Sequence, residues 1–494
     1  MLTPAEIKFF IDEDKTSKLK QQAREGQRYY EADHDILKYR MFYYNADGEL
    51  VEDRARANSR ICHPFFTEHV DQLAAYIMSF EENPIQAREV AEGLQEQLDE
   101  YFDDAFWAEI QELITGTNAK GFEYLFGYQN ADDRLAFACA DSLGVVEVAA
   151  KYASDKQDHV LYSYVDHIDR NKKVIKRIHD HTATEVRFYT QEDDGIPQLD
   201  DEADLNPRPS IVWRDPKTGL LYGDRLGFIP FWRLDNNIKR TSALHPIKGL
   251  IDDYDLMQCG LSNNLQDFDH PIYLAKGWGG DDLNELGQNI RTKKMMGLGA
   301  DDDLEIKTIN IPYEARKVKA DEDEKNIYKF GMAFNSVQMG DGNITNVVIR
   351  SRYTLLDLKA GKLITRLKRF LKPIIETVLA EINEKNSTDY KYSDVLVEFK
   401  PIIPTNEQEA AQIALTEAQT EQTKITSILN VAALIGDEAA LRAICEQLDL
   451  DYDDIEEQLE AQSDTQDLDA AMATLGGITV NEPPTEAGAG TVPA

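Results

Sequence analysis

MGDGNIT at residues 339–345, running into NVVIRSRYTLLDLKAGKLITRLKRFLKPIIETVLAEIN at 346–383, is the stretch whose reading decides the fold. The second segment predicts one long helix. Leu356, Ala360, Leu363, Ile364, Leu367, Phe370, Leu371, Ile374, Ile375, Val378, Leu379 and Ile382 recur at the spacing of a single helix face. At about 1.5 Å per residue such a helix runs roughly 55 Å, longer than an ordinary globular helix. Pro373 lacks an amide N–H and is expected to kink it. Up to that proline the opposite face is basic. Arg350, Arg352, Lys359, Lys362, Arg366, Lys368, Arg369 and Lys372 stand there against Asp357 alone. Gly340 and Gly342 make the entry to the helix a turn that can change shape.

A cationic helix is unexpected in this chain. Its 494 residues carry a net charge of −37, with a pI near 4.6. That balance argues against a general nucleic-acid binder, because counterion release needs clustered Lys and Arg. Three uses of the basic face remain open: pairing with carboxylates within or between subunits, simple solvation, and contact with phosphate. The acid excess favours pairing, with Arg350, Arg352, Lys359 and Arg366 as candidate intersubunit residues. Lys276, Arg291, Lys293 and Lys294 form a second basic island, for which solvation is the plainer reading.

Hydrophobic content of 42% and charged content of 29% describe a folded chain long enough for several domains. No apolar run approaches the length of a membrane span, so no membrane partner is expected. The opening Met1-Leu2-Thr3-Pro4-Ala5-Glu6 lacks the pattern of a secretory signal. Cys62, Cys139, Cys259 and Cys445 form no CxxC pair and read as isolated thiols of a reducing compartment.

Residues 1–110 read as mostly helical. Helices are expected from Pro4, over Ser17–Tyr30 with Ser17 as N-cap, over Pro64–Phe80, and over Val90–Thr115. After Gly116 the pattern changes to short strands at meander spacing, from Phe122 to Thr190. Gln191–Arg208 reads as an acidic loop, and Gly227–Trp232 closes the β-rich region. A second strong helix is expected over Ser242–Phe268, stopped by His270-Pro271. Short strands and turns fill 271–311, and a polar helix restarts after Pro312. Val395–Lys400 reads as a strand and Asn406–Cys445 as helix. The Gly/Pro/Ala-rich 476–494 reads as disordered.

Catalytic signatures are absent from this sequence. Gly361-Lys362 is no P-loop, since Leu356 and Leu363 occupy the positions that need Gly and Ser or Thr. Gly297-Leu298-Gly299 lacks the third glycine of a dinucleotide fingerprint. His179-Asp180-His181 offers two same-face imidazoles but no third ligand, and reads as a solvated turn rather than a metal site. The acidic runs Asp301-Asp302-Asp303 and Asp451–Glu457 lack calcium-loop spacing. No metal and no cofactor are therefore expected.

The order of these elements resembles the portal, or head–tail connector, proteins of tailed bacteriophages, most closely the branch with long non-contractile tails. Arg28-Tyr29-Tyr30 with His34-Asp35-Ile36 is similar to that family's Tyr-Tyr-x-Gly-x-His-Asp-Ile stretch, with Ala32 at the usual glycine. Asn58, Arg60, Val70-Asp71, Tyr76-Ile77 and Pro84-Ile85 follow its next helix. Gly227-Phe228-Ile229-Pro230-Phe231 with Asn236-Asn237 resembles the segment before its first stem helix. Asn343–Asn346, Arg352-Tyr353 and Leu356–Ala360 resemble its tunnel loop and spine helix. The family's Ser-Gly-x-Ala-Leu-Lys opening is absent; Val347–Arg352 stands there.

The resemblance implies an α+β portal fold. It implies an N-terminal wing over 1–242, an outgoing stem helix over 243–269, a small β clip over 270–311 and a returning stem helix over 312–334. A tunnel loop over 335–346, a spine helix and wing return over 347–400, an acidic helical crown over 401–475 and a tail over 476–494 would follow. Gln338, Met339, Gly340, Asp341, Gly342, Asn343 and Thr345 would form the tunnel loop around double-stranded DNA. Lys276, Arg291, Lys293 and Lys294 would be clip contacts. The implied function is a non-enzymatic dodecameric ring at the capsid vertex of the virion, assembled in the host cytoplasm. Its implied partners are the terminase large subunit, a head-completion adaptor, and the scaffold and major capsid proteins. A protein-binding helical scaffold or adaptor of phage assembly is the alternative. A metal-dependent nucleic-acid enzyme is disfavoured because no compact carboxylate site is evident.

Overall fold

The computed structural model of the protein describes residues 2–402, apart from 55, 89–90, 92, 131–133, 151–152, 204, 215–220, 225, 269–271, 277–302, 308–312 and 336–345, together with scattered positions between 419 and 445. The chain divides into one unit of Met1–Pro404 and another of Thr405–Ala494. In the second unit the described residues 422–428 and 441–443 are helical.

The first unit is a mixed α+β structure with several small antiparallel sheets. Helix α1 (Pro4–Thr16) begins with a capping box: Glu6 N–H donates to the Thr3 hydroxyl and Thr3 N–H donates to the Glu6 carboxylate. Ser17 then caps α2 (Lys18–Tyr30), its hydroxyl accepting the Lys20 N–H at 3.2 Å. Between the helices expected over Ser17–Tyr30 and Pro64–Phe80, the chain forms a hairpin of β1 (Phe42–Tyr44) and β2 (Leu50–Glu52). The Asn45 side chain decides this locally. Its Oδ1 accepts N–H bonds from Asp47 and Glu49, and Gly48 takes a φ of +78°.

Helix α3 (Phe65–Ile77), strand β3 (Ile85–Ala87), α4 (Leu94–Tyr101) and α5 (Asp104–Lys120) follow. Gly121 ends α5 at φ +98°, where an added Cβ would lie 2.3 Å from the Arg240 carbonyl oxygen. Gly26 lets α2 approach α5 in the same way, since a Cβ there would meet the Ala119 oxygen at 2.0 Å.

The expected meander divides into separate sheets. β4 (Phe122–Gln129) and β5 (Leu135–Ala140) pair with the distant β14 (Phe231–Asp235) in the order β14-β4-β5. β6 (Val145–Ala150), β7 (Ala153–Ile168), β8 (Val174–His181), β9 (Glu185–Glu192) and β10 (Gln198–Leu199) form a sequential antiparallel sheet, with β11 (Arg208–Pro209) also on β9. β12 (Ile211–Arg214) pairs with β13 (Leu221–Asp224). Within the expected acidic loop, Gln191 and Glu192 thus end β9, Gln198 and Leu199 form β10, and Arg208 opens β11.

Helix α6 (Lys248–Phe268) starts later than the Ser242 its periodicity suggested. The Ser242 hydroxyl accepts the Leu244 N–H and sets a turn ahead of the helix. β15 (Ile272–Lys276) and β16 (Asp303–Lys307) pair antiparallel between α6 and α7 (Tyr313–Gly331). The small β insertion therefore lies between two helices, as expected. Lys319 of α7 joins Asp253 of α6 at 2.6 Å. Helix α8 (Asn346–Asn386) is 41 residues long and continues through Pro373, giving about 60 Å of rise. β17 (Val395–Val397) closes on β3.

The largest core gathers around α8. Leu356, Ala360, Leu363, Leu367, Leu371, Ile374, Ile375, Val378 and Ile382 are buried against α3, α4 and α5, including Leu73, Leu98, Phe106, Ile110 and Leu113. Each large apolar side chain so buried contributes about 1.5–3 kcal/mol before entropy is set against it. This face explains why the helix forms. It leaves the opposite face to be explained.

Candidate functional site

That opposite face is a stripe of Leu355, Leu358, Lys362, Arg366, Arg369 and Lys372, spaced to share one flank of α8. All except the half-buried Arg366 are exposed. Arg350 is also exposed and Lys368 half-buried on an adjoining flank. Lys372 meets Glu376, one turn on, at 3.8 Å, and its ammonium lies 5.3 Å from the centre of the Tyr392 ring. Among the described residues no carboxylate pairs with Arg350, Lys362, Arg366, Lys368 or Arg369. Arg352 lies in the helix, but its side chain is outside the described residues.

Lys359 leaves this company. Its side chain is half-buried, and Nζ donates to the Gly331 carbonyl at the end of α7, 3.1 Å away. Burial lowers its amine to about 8. Across the joint, a Cβ on Gly331 would lie 2.4 Å from the His69 ring. Burial, with Lys359 adding to it, lowers His69 to about 3. The sequence placed Lys359 with the candidate intersubunit cations. The structure commits it to the joint of α3, α7 and α8 within its own subunit.

A second arrangement was not anticipated from sequence. Residues 57–63 run as an extended strap along α6. N–H groups of alternate strap residues donate to side chains one helical turn apart. Ala57 bonds Asp267 at 2.9 Å, Ser59 bonds Asn263 at 2.6 Å, Ile61 bonds Cys259 at 3.2 Å and His63 bonds Asp255 at 2.9 Å. Two extended residues advance about 6.6 Å and four helical residues about 6.0 Å, so the two repeats stay in step. The intervening Asn58 and Cys62 side chains donate the other way, to the carbonyls of Tyr39 and Ala32.

At the end of this ladder the buried Asp255 carboxylate lies 2.7 Å from both His34 Nδ1 and His63 Nδ1. Burial pushes the carboxyl up, but hydrogen bonds to His34 and His63 outweigh it and hold the group below its ordinary value. His34 also stacks on Tyr29 at 4.5 Å. Lys248 completes the anchor, reaching Asp35 at 2.8 Å and Asp252 at 2.7 Å. The one sequence signal for this was the Asp255, Cys259, Asn263, Asp267 repeat of hydrogen-bonding side chains on α6.

The remaining polar clusters build structure. His179-Asp180-His181 does not form a solvated turn: it ends strand β8, with Asp180 and His181 buried. Asp180 faces His159 at 2.7 Å, and burial lowers His179 to about 4 and His181 to about 3. Alternation on the strand puts both imidazoles on one face and the carboxylate on the other. Among the described residues no group of three or more His, Cys, Asp or Glu side chains is placed to hold a metal. Glu123 is buried beside Lys120, which meets Asp141 at 2.7 Å; burial raises Glu123 to about 7 against that pairing. A cleft of about 790 Å³ is lined by Tyr164, Arg177, His179, Phe188, Asp200 and Arg208, among others. There Arg177 is already bonded to Asp166 and Asp200.

Lys276 ends β15 opposite Asp303 in the strand register. Arg291, Lys293 and Lys294 lie outside the described residues, as do Gln338, Met339, Gly340, Asp341, Gly342, Asn343 and Thr345. No helix among the described residues is long and apolar enough to cross a membrane.

Comparison with known proteins assigns this architecture. Residues 8–466 match the family described as phage portal protein, SPP1 Gp6-like. The portal protein of Bacillus phage SPP1 is 26% identical over 341 residues, covering 68% of this chain and 65% of that protein. The portal protein of Clostridium phage phiCD119 is 24% identical over 428 residues, covering 82% of this chain and 88% of the relative. A match across nearly the whole chain, with a helix–β–helix insertion followed by one very long helix, has one reading: the chain belongs to the SPP1 Gp6-like family of phage portal proteins.

Proposed function

We propose that this protein is the subunit of a ring at a capsid vertex, through which double-stranded DNA is packaged and ejected. Its role is structural rather than enzymatic, as membership of the family implies. In this reading α6 and α7 are the stem, the β15–β16 insertion is the clip, and α8 is the spine. Residues 335–346 are the loop that narrows the channel, residues 1–242 and 347–400 the wing, and 401–475 the crown. A ring of twelve copies, the terminase large subunit, a head-completion adaptor, and scaffold and major capsid proteins are the partners this reading assigns.

The observation that carries the assembly is the cationic stripe on α8, where Lys362, Arg366 and Arg369 have no carboxylate partner among the described residues, in a chain of net charge −37. A lone protomer leaves these cations to solvent, whereas a ring supplies each stripe with a neighbour's carboxylates. Such pairing orients subunits and opposes wrong registers. An acid-rich channel also suits DNA that must slide, because dense phosphate contacts would hold it. Native mass spectrometry with electron microscopy of the purified chain tests this. Closed rings of about a dozen copies with a central hole are expected; a stable monomer or dimer under all conditions, capsid scaffold included, would refute it.

A further inference from the structure

We propose that the β1–β2 hairpin of one copy seats on the outer stripe of α8 of the next copy. This rests on the ring reading above and names the surface that meets the stripe. The hairpin is well formed yet uncovered. Its turn is tied by Asn45, and Asp53 N–H closes its base on the Met41 carbonyl at 2.8 Å. Directly paired residues of an antiparallel hairpin share a face, so Phe42, Tyr44 and Leu50 lie together, while Tyr43 and Val51 occupy the other side. Phe42 is 54% exposed, Tyr44 73% and Leu50 59%. Two strands with bare apolar faces are marginal on their own and mark a contact surface.

Charge and the order of groups select the occupant. Between Phe42 and Glu52 the chain carries Asp47, Glu49 and Glu52 and no lysine or arginine. Glu52 is already engaged by Arg54 at 3.1 Å, so Asp47 and Glu49 at the tip supply the outward charge. The α8 stripe is the complement: apolar at Leu355 and Leu358, then cationic at Lys362, Arg366 and Arg369. Leu355 to Arg366 spans about 16 Å of helix, apolar first and then cationic; on the hairpin the apolar strands end at Tyr44 and Leu50 and the turn beyond them carries Asp47 and Glu49, the same order of apolar and charged groups. Aromatic residues therefore fall on the leucines when the acidic tip falls on the arginines. Within one copy both surfaces are exposed, so they meet only between copies. A hairpin-to-helix contact joins different patches and propagates around a ring. The strap, bonded to α6, also holds the Tyr39 carbonyl just ahead of the hairpin, which limits the ordering cost of docking.

The test is a charge exchange in the full-length chain, read as ring fraction against concentration by mass photometry. Asp47→Lys with Glu49→Lys, and Arg366→Glu with Arg369→Glu, should each raise the assembly midpoint by roughly tenfold or more. All four changes together should restore much of it. Phe42→Ser, Tyr44→Ser and Leu50→Ser combined should abolish rings while leaving the thermal midpoint of the dissociated chain unchanged. Hairpin variants that assemble like wild type, beside a defective arginine pair, would overturn the hairpin as occupant and leave the cationic stripe engaged elsewhere. Normal assembly of the arginine variant would remove the stripe, and the hairpin with it. Two defective pairs with no rescue would overturn direct contact between them.

Discussion

Helices α6 and α8 are both long, both packed on one face, and opposite in how they use the other. On α6 the second face is saturated inside the protomer: Asp255, Cys259, Asn263 and Asp267 accept the strap, and Lys248 and Asp253 are paired across to neighbouring elements. On α8 the second face keeps Lys362, Arg366 and Arg369 without a carboxylate among the described residues. Desolvated polar groups must be partnered where they stand, while solvated ones can wait for a partner. The difference separates what holds a subunit together from what, in the ring proposed above, it would offer to another copy.

The sharpest way to break this contrast is at Asp255. Asp255→Ala leaves two histidines and a strap N–H without their acceptor, and should cost the protomer about 3–5 kcal/mol in urea unfolding. A loss below about 1 kcal/mol would mean that the strap is not part of the folded subunit's stability. Acid gives a second readout. The Asp255 carboxyl is held below its ordinary value, so its contribution is complete above the unfolded-state value of about 3.9. It is lost as pH falls through the lower folded value. Wild-type stability should therefore drop below about pH 4 more steeply than that of Asp255→Asn.

A smaller effect is expected at Lys359, where α7 meets α8. Its amine is lowered to about 8 by burial, so the unfolded chain binds the extra proton between about pH 8 and 10.4 and stability rises with pH there. Lys359→Met should stabilise by about 1 kcal/mol at pH 7 and flatten that rise, followed by thermal melts across the range. A destabilised variant would instead make the bond to the Gly331 carbonyl the dominant contribution. The smallest effect belongs to the stripe. Lys362→Ala should change protomer stability by less than about 0.5 kcal/mol, because an exposed unpaired cation costs little to remove. A larger loss in the dissociated chain would place Lys362 in the α6 category.

The long helix was legible because its apolar repeat runs without interruption from Leu356 to Ile382, more than seven turns, and Asn346–Asn386 begins where the sequence predicted and ends within a turn of it. Ser17 was legible as a cap because hydroxyl capping is local chemistry. The β1–β2 hairpin was not, since its three-residue strands carry no periodicity long enough to register. Alternation alone also could not say that His181 and Asp180 would be buried in a sheet rather than left in a turn. The split of the expected meander depends on Phe231–Asp235 returning to β4 across about a hundred residues, a pairing with no local signature.

What the sequence determined alone was periodic or local: the long helix, the Ser17 cap, the β insertion between α6 and α7, and the acid excess. The tertiary structure decided which polar groups are spent inside the subunit. Lys359 and Arg366 look alike on a helical wheel, yet one donates to the end of α7 and the other keeps no carboxylate among the described residues. Burial and partnership depend on distant segments arriving at the same place, and the spacing of residues along one helix does not encode that arrival.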